Sequence, residues 1–440
     1  MSNNIFLKKL DYKGASEFLL KKDKRIFDKN LNKVVRKILD DVREGGDKKL
    51  ISLSKKLDKT NFSSIKQATF FKKDFLKSYK NLNPKIKKDL NFLKKRIKSF
   101  HQKIKVDDLK LNDEVFESFG QVYRPIENIG IYAPGGKAIY PSSVLMTSLV
   151  AKIAGCKKVQ LFFPSSSDLS TQLMLATAYI AGVDVAYNFG GAQAIAAMAF
   201  GTETIASSDK IFGPGNKYVA EAKRQVYGEV GIDSFTGPSE VLIISDNSSD
   251  LDMMASDLLA QAEHGEDSKC IFISIGKNLY DPLSKKITDQ LKISPRKKII
   301  QEALKKFGLF IEVNSLKKAV EISNLIAPEH LQISVKNEAS LNLNKLIAGA
   351  IFIGKQNSAV LGDYCAGPSH VIPTSGAARF SSPVSLEDFL VRSSFVKIGK
   401  KINKNTFKKI LSHSMSLASI EGLDEHADAL NKRIKKLSLN

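Results

Sequence analysis

Asn128-Ile-Gly-Ile-Tyr132, followed by Ala-Pro134-Gly135-Gly136, is the stretch whose reading decides the fold. A short apolar run that ends in a proline-glycine turn has the form of a buried strand meeting a loop. The form recurs downstream. Residues 158–163 read as a strand closed by Pro164, 183–189 as a strand ending in Gly190-Gly191, and 210–212 as a strand entering Gly213-Pro-Gly-Asn216. Helical stretches at 142–154, 169–181, 193–200 and 217–227 separate them. Strands alternating with helices predict βαβ units and a mostly parallel sheet.

A second series follows. Strands are expected at 241–245, 270–275, 309–313, 331–335 and 350–353, with helices at 251–264, 282–306 and 315–325. Before the first series the chain is helical. Leu31, Val34, Val35, Ile38, Leu39 and Val42 share one face, and Gly45-Gly46 is expected to stop that helix. Ile86, Leu90, Leu93, Ile97, Phe100 and Ile104 repeat at steps of four and three, as in a long amphipathic helix. The expected fold class is α/β: two Rossmann-like units with mostly parallel sheets, plus helical N- and C-terminal segments. The expected division is a helical segment over 1–24, a discontinuous α/β domain of 25–122 with 237–380, an α/β domain over 123–236, and a helical segment over 381–440.

The chain has 440 residues, 43% of them hydrophobic and 26% charged, ordinary for a globular protein of two or more domains. No apolar run approaches a bilayer span. The N-terminus lacks the ordered regions of a signal peptide, so a cytoplasmic setting is expected. Three cysteines at wide spacing, with no CxxC, argue against a disulfide framework or a thiolate zinc site. The net charge of +22 raises the question of a polyanion partner. Its lysines are not interleaved with aromatics and no nucleic-acid motif accompanies them, so a lysine-rich surface is the better account.

The chemistry-bearing residues gather in polar and glycine-rich segments. Glycine turns at strand ends suit a backbone that approaches a ligand, although GxGxxG is absent because Tyr218 stands where its third glycine would be. Gln261 and His264, three apart near a helix end, can converge on a cation or orient a polar substrate. The same pair also reads as a cap and a surface side chain. With Asp363 and His426 they would make a nitrogen–oxygen set suited to zinc with an open position, but spacing alone does not bring the four together. Glu329-His330 is an adjacent acid/base pair after Pro328. His101 and His413 lie in amphipathic helices and read as structural or surface residues. Glu263 suggests a metalloprotease, but the motif is QxxH rather than HExxH.

Several segments together carry a family resemblance. They are Gly130-Ile-Tyr-Ala-Pro-Gly-Gly136 with Tyr140-Pro-Ser-Ser-Val-Leu-Met146, Gly190-Gly-Ala-Gln-Ala-Ile-Ala196 running to Asp209-Lys-Ile-Phe-Gly-Pro-Gly-Asn216, Gly237-Pro-Ser-Glu-Val-Leu242, Asp257-Leu-Leu-Ala-Gln-Ala-Glu-His-Gly265 and Ala327-Pro-Glu-His-Leu331. Gly362-Asp-Tyr364, His370-Val-Ile-Pro-Thr374, Ala378-Arg-Phe380 and Glu421-Gly-Leu423 continue the series. In this order they resemble histidinol dehydrogenase over roughly residues 25–435. The resemblance implies two-step oxidation of L-histidinol to L-histidine, the last step of histidine biosynthesis, with NAD and one zinc ion per subunit, in a homodimer with shared active sites. It assigns zinc to Gln261, His264, Asp363 and His426, and acid/base catalysis to Glu329 and His330. Substrate contacts would be Ser239, His330, His370 and Glu421, besides the zinc ligands. NAD contacts would be Tyr132, Gln193 and Asn216 in the 123–236 domain. Ala260 and Pro368-Ser369 depart from the family's usual residues without touching these positions. The alternatives are a paralogous zinc and NAD dehydrogenase acting on another amino or sulfo alcohol and, from a different class, a basic nucleic-acid-binding protein.

Overall fold

The computed structural model describes residues 7–22, 28–135, 139–165, 167–234 and 237–438. In chain order the strands are β1 (Lys8–Asp11), β2 (Thr69–Phe71), β3 (Leu109–Leu111), β4 (Phe116–Pro125), β5 (Asn128–Tyr132), β6 (Lys158–Phe162), β7 (Val185–Tyr187) and β8 (Lys210–Phe212). They continue with β9 (Gly231–Ile232), β10 (Glu240–Asp246), β11 (Lys269–Ile275), β12 (Leu309–Val313), β13 (His330–Ser334), β14 (Ala350–Ile353) and β15 (Leu390–Ile398).

Two six-stranded sheets carry the larger of two compact units, residues 1–104 with 126–389. The first has the order β2-β7-β6-β5-β8-β9, parallel except for β2. The second has the order β1-β12-β11-β10-β13-β14 and is parallel throughout. Both are wound alike. The first core strand, β5 or β10, lies centrally; the next two are added on one side and the last two on the other.

The sequence of β10 shows why such strands form. Val241 and Ile243 pack with Leu258 and Phe272 on one face, while Leu242 and Ile244 pack with Ile322 and Ile333 on the other. A strand buried on both faces needs a continuous apolar run, and successive side chains then serve opposite cores. The expected α/β class with two parallel-sheet units is what the chain adopts.

The N-terminal region is grouped differently from the expectation. Its helices from Lys29 onward belong with the first sheet, not the second. Val35, Leu39, Val42, Leu50 and Leu53 of the helix Lys29–Leu57 pack against Ile195 and Val219. β2 pairs antiparallel with β7. β1, within the segment expected to be wholly helical, joins the second sheet beside β12, and the helix Tyr12–Lys22 packs on that sheet through Ala15. An apolar stripe announces that a helix has a buried face but does not say which sheet will cover it. Within Lys29–Leu57, Gly46 leaves the helical conformation at φ 49° and ψ −140° and divides the stretch into two helices, as expected of Gly45-Gly46. The expected helix over 282–306 is two helices, Tyr280–Lys292 and Lys297–Phe307, with Pro295 between them.

The smaller unit is residues 105–125 with 390–440. In it β15, β4 and β3 form an antiparallel sheet. Helices Lys404–Ile420 and Asp424–Ser438 follow, and Phe407 and Leu411 pack on Val115. The C-terminal segment therefore contributes a strand as well as the expected helices. Among the described residues no helix is long and apolar enough to cross a membrane.

His101, read as structural or surface, is fully buried at the end of the helix Pro84–His101, and neither ring nitrogen has a partner. Burial pushes its pKa down to about 4. The unfolded chain, near pKa ~6.5, takes up a proton first as pH falls, so stability is lost between roughly pH 6.5 and 4. His101→Phe is expected to flatten the Tm-versus-pH curve over that range. An unchanged slope would remove His101 as a cause of acid sensitivity.

Candidate active site

Three strand starts lie side by side at the amino edge of the second sheet: Glu240 of β10, Lys269 of β11 and His330 of β13. The backbone of Glu240 holds both members of the acid/base pair. Its N–H donates to Glu329 Oε2 at 2.7 Å, and its carbonyl accepts from His330 Nδ1 at 3.0 Å. That bond commits the Nδ1 proton and leaves Nε2 with its lone pair. His330 Nε2 is buried without a hydrogen-bond partner and lies 3.9 Å from Asp363 Oδ1. The Glu240 side chain, also buried, pairs with Lys269.

Burial sets the protonation of this pair. It pushes the Glu329 carboxyl well above the usual carboxylate range; the Glu240 N–H opposes the shift, and the Glu240 and Asp363 carboxylates add to it. Burial also lowers the pKa of His330, against the pull of Asp363. The arrangement is a neutral imidazole base beside a carboxyl whose proton is held unusually tightly.

Gln261 and His264 close the helix Leu251–Ala262. His264 Nδ1 lies 3.0 Å from the Ala260 carbonyl, the contact that frees Nε2 to bind a ligand. Gln261 is buried and its Nε2 has no partner. Asp363 lies beside both His330 and His370, and the charge of His264 lowers the pKa of both rings. His370 is less free than expected of a substrate contact. Its Nδ1 lies 2.9 Å from the Asp363 carbonyl and its Nε2 2.9 Å from Ser143 Oγ. In this structure it ties the helix Ala359–Tyr364, which carries Asp363, to the helix that follows β5. Ser239 is half-buried immediately before β10. Glu421 and His426 belong to the other unit, where both are exposed, Glu421 at the end of one helix and His426 in the first turn of the next. Among the described residues no group of three or more His, Cys, Asp or Glu is gathered as a metal site.

The first sheet places its glycine turns at carboxyl ends. Tyr132 ends β5, Gly190-Gly191 follow β7, and Gly213–Asn216 follow β8. The winding reverses between β5 and β8, where parallel sheets open a crevice for ligands. Gly136 lies outside the described residues. Tyr132 is buried, which raises its pKa to about 12, and its hydroxyl accepts from the Gly191 N–H at 3.1 Å. Asn216 is exposed and caps the helix Lys217–Val226, accepting from Tyr218 N and Val219 N. The fully buried pair Lys223–Asp233 grips this turn. Lys223 Nζ donates to the Gly213 carbonyl at 3.0 Å, and Asp233 accepts from the Gly213 N–H at 2.8 Å. Lys223→Met strands the Asp233 charge and is expected to cost about 3–5 kcal/mol in urea unfolding, with much of the loss recovered by adding Asp233→Asn. A single variant as stable as the parent would show that the pair contributes nothing.

A family profile described as histidinol dehydrogenase matches residues 21–434. The histidinol dehydrogenase of Neisseria gonorrhoeae is 41% identical over 403 residues, 92% of this chain and 93% of that one. That of Clostridium acetobutylicum is 42% identical over 404 residues, 92% of each. The chain belongs to the histidinol dehydrogenase family. The crystal structure of the histidinol dehydrogenase of Elizabethkingia anophelis aligns over all of both chains with a TM-score of 0.90 at 33% identity. As a histidinol dehydrogenase family member the chain is an oxidoreductase, and the nucleic-acid and metalloprotease readings fall away.

Sequence reasoning passed over Glu240, Lys269, Ser143, Lys223 and Asp233 as site residues of this histidinol dehydrogenase family member. Glu240 stands inside a motif that carried the resemblance, a charged residue heading an apolar run. It acts on Glu329 and His330 through its peptide groups, which side-chain chemistry does not advertise.

Proposed function

We infer that this chain oxidises L-histidinol to L-histidine through bound L-histidinal, by two successive hydride removals at the amino edge of the second sheet. The observation that carries the reading is His330, whose Nδ1 is committed to the Glu240 carbonyl while Nε2 is a buried, unpartnered acceptor beside Asp363. In the first oxidation the alcohol proton passes to His330 Nε2 as hydride leaves the carbon, giving the aldehyde. In the second, ionised Glu329 takes a proton from water, the oxygen adds to the aldehyde carbon, and loss of a second hydride leaves the acid. NAD, held by Tyr132, Gln193 and Asn216, supplies the hydride acceptor for both oxidations. Gln261, His264, Asp363 and His426 would hold a zinc ion, which would supply a positive centre for the substrate's imidazole and amine. His264, with Nδ1 committed to the Ala260 carbonyl, has Nε2 to offer such an ion, and Gln261 would offer its amide oxygen. Ser239, His370 and Glu421 are substrate contacts, and His370 also fixes the helix of Asp363 through its Nδ1.

Supplying histidinol to the purified enzyme and counting reduced cofactor tests the reading: roughly two per substrate is expected for a four-electron oxidation. No turnover with histidinol would sink it.

The homodimer with shared sites is the second part of the proposal. Leu417, Ile420 and Leu423 are 61%, 79% and 42% exposed around Glu421 and His426, an apolar surface suited to a second copy. Mixing two variants impaired in forming histidine, Glu329→Gln and His426→Ala, is then expected to restore up to about a quarter of the wild-type rate of histidine production, because half the dimers are hybrids with one intact site. A mixture that shows no such gain although subunits exchange would show that each site is built from one chain.

A further inference from the structure

We propose that Asp58 is a positioning residue for the dinucleotide, one that fixes the Gln193 amide and the Gly190-Gly191 backbone at the carboxyl end of β7. The proposal rests on the reading of Gln193 and Tyr132 as cofactor contacts. Asp58 caps the C-terminal end of the helix Lys29–Leu57, far from β7 in sequence. Its Oδ2 accepts from the Gly190 N–H at 3.2 Å, from Gln193 Nε2 at 3.0 Å and from the Ser54 hydroxyl at 3.0 Å. Lys59, at φ 56°, turns the chain away directly after it. A Cβ at position 190 would stand 3.1 Å from Asp58 Oδ1 and closer still to Pro164, so glycine is what admits this approach.

The consequence is a fixed set of donors and acceptors. The helix Gly191–Phe200 starts here, and its leading N–H groups are divided between two side chains, Gly190 to Asp58 and Gly191 to Tyr132. Gln193, in the first turn of that helix, is buried. Its NH₂ is spent on a carboxylate, and a flipped amide would set oxygen against oxygen. The amide oxygen is therefore turned away from Asp58 and serves as an acceptor, the complement of a ribose hydroxyl. Asp58 itself acts through Gln193 and Gly190 and touches no reacting atom.

The test is a double-mutant cycle on the whole enzyme, reading the KM for NAD, the KM for histidinol, kcat and Tm. Asp58→Ala is expected to raise the KM for NAD about tenfold, the change carried by one hydrogen bond to a charged group. The histidinol KM and saturated kcat should hold. Gln193→Ala should do the same, and the double variant should be no worse than Gln193→Ala alone. Asp58→Asn, which keeps the shape and one acceptor, should fall between wild type and Asp58→Ala, and it carries the test if the alanine variant does not fold. A lowered Tm with both KM values moved together, or effects that simply add, would overturn the positioning role. So would an unchanged KM for NAD in either Asp58 variant while Gln193→Ala raises it. If Gln193→Ala leaves the KM for NAD unchanged, the cofactor reading of Gln193 fails first, and the Asp58 proposal falls with it.

Discussion

Glu329→Gln is expected to slow the aldehyde-to-acid step by about 10²–10⁴-fold, the usual contribution of a positioned general base. Alcohol oxidation, which relies on His330, should suffer far less. The two steps separate when histidinol and histidinal are supplied in turn and reduced cofactor is followed, and the yield per histidinol should drop towards one. Equal slowing of both steps would remove Glu329 from the water-activating role. Burial raises the Glu329 pKa well above its usual value. The base works only when ionised, so the aldehyde step should lose rate as pH falls through that raised value, and the limb should vanish in the glutamine variant.

The same burial gives a stability prediction. Between its ordinary pKa and the raised one, the folded chain holds the Glu329 proton and the unfolded chain does not. Stability therefore falls as pH rises through that window. Glutamine carries no charge to bury, so Glu329→Gln should raise Tm at neutral pH while it costs activity. This is the trade expected where a site strains the fold for function. A variant with lowered Tm would contradict it.

His264→Ala is expected to abolish histidinol oxidation by losing the metal. Removing an outer partner of a metal ligand typically weakens binding ~10–100-fold, and removing a ligand should exceed that. The fold should be unaffected, because His264 is exposed and such substitutions usually stay within about 0.5 kcal/mol. Metal analysis and thermal unfolding of the same preparation decide the matter. A full zinc complement in the variant would strike His264 from the ligand set. Metal loss with a collapsed Tm would point to a structural site instead.

The parallel sheets were legible because their strands are short apolar runs that stop at glycine or proline. β8, β12 and β14 lie where the pattern put them. β1, β2, β4 and β15 were not legible. β2 is three residues of an otherwise helical region, and β4 and β15 are largely half-exposed or exposed, without the apolar continuity that marked the others. The helix Lys29–Leu57 was recognised but assigned to the wrong sheet, since its stripe is equally suited to either core.

For the site, the sequence by itself singled out the candidate side chains: Glu329 and His330, Gln261 and His264, Asp363, Tyr132 and Gln193. These are residue types in motifs, and motifs are local. Only the tertiary structure decided what those side chains can do. The tautomer of His330 follows from a carbonyl 90 residues away in the chain, at Glu240. The orientation of Gln193 follows from Asp58, 135 residues away. The two ring nitrogens of His370 are held by Asp363 and by Ser143 of the other sheet's first helix. A hydrogen bond has a direction as well as a partner, and direction is fixed by where strands and helices come to rest, which no spacing along the chain records.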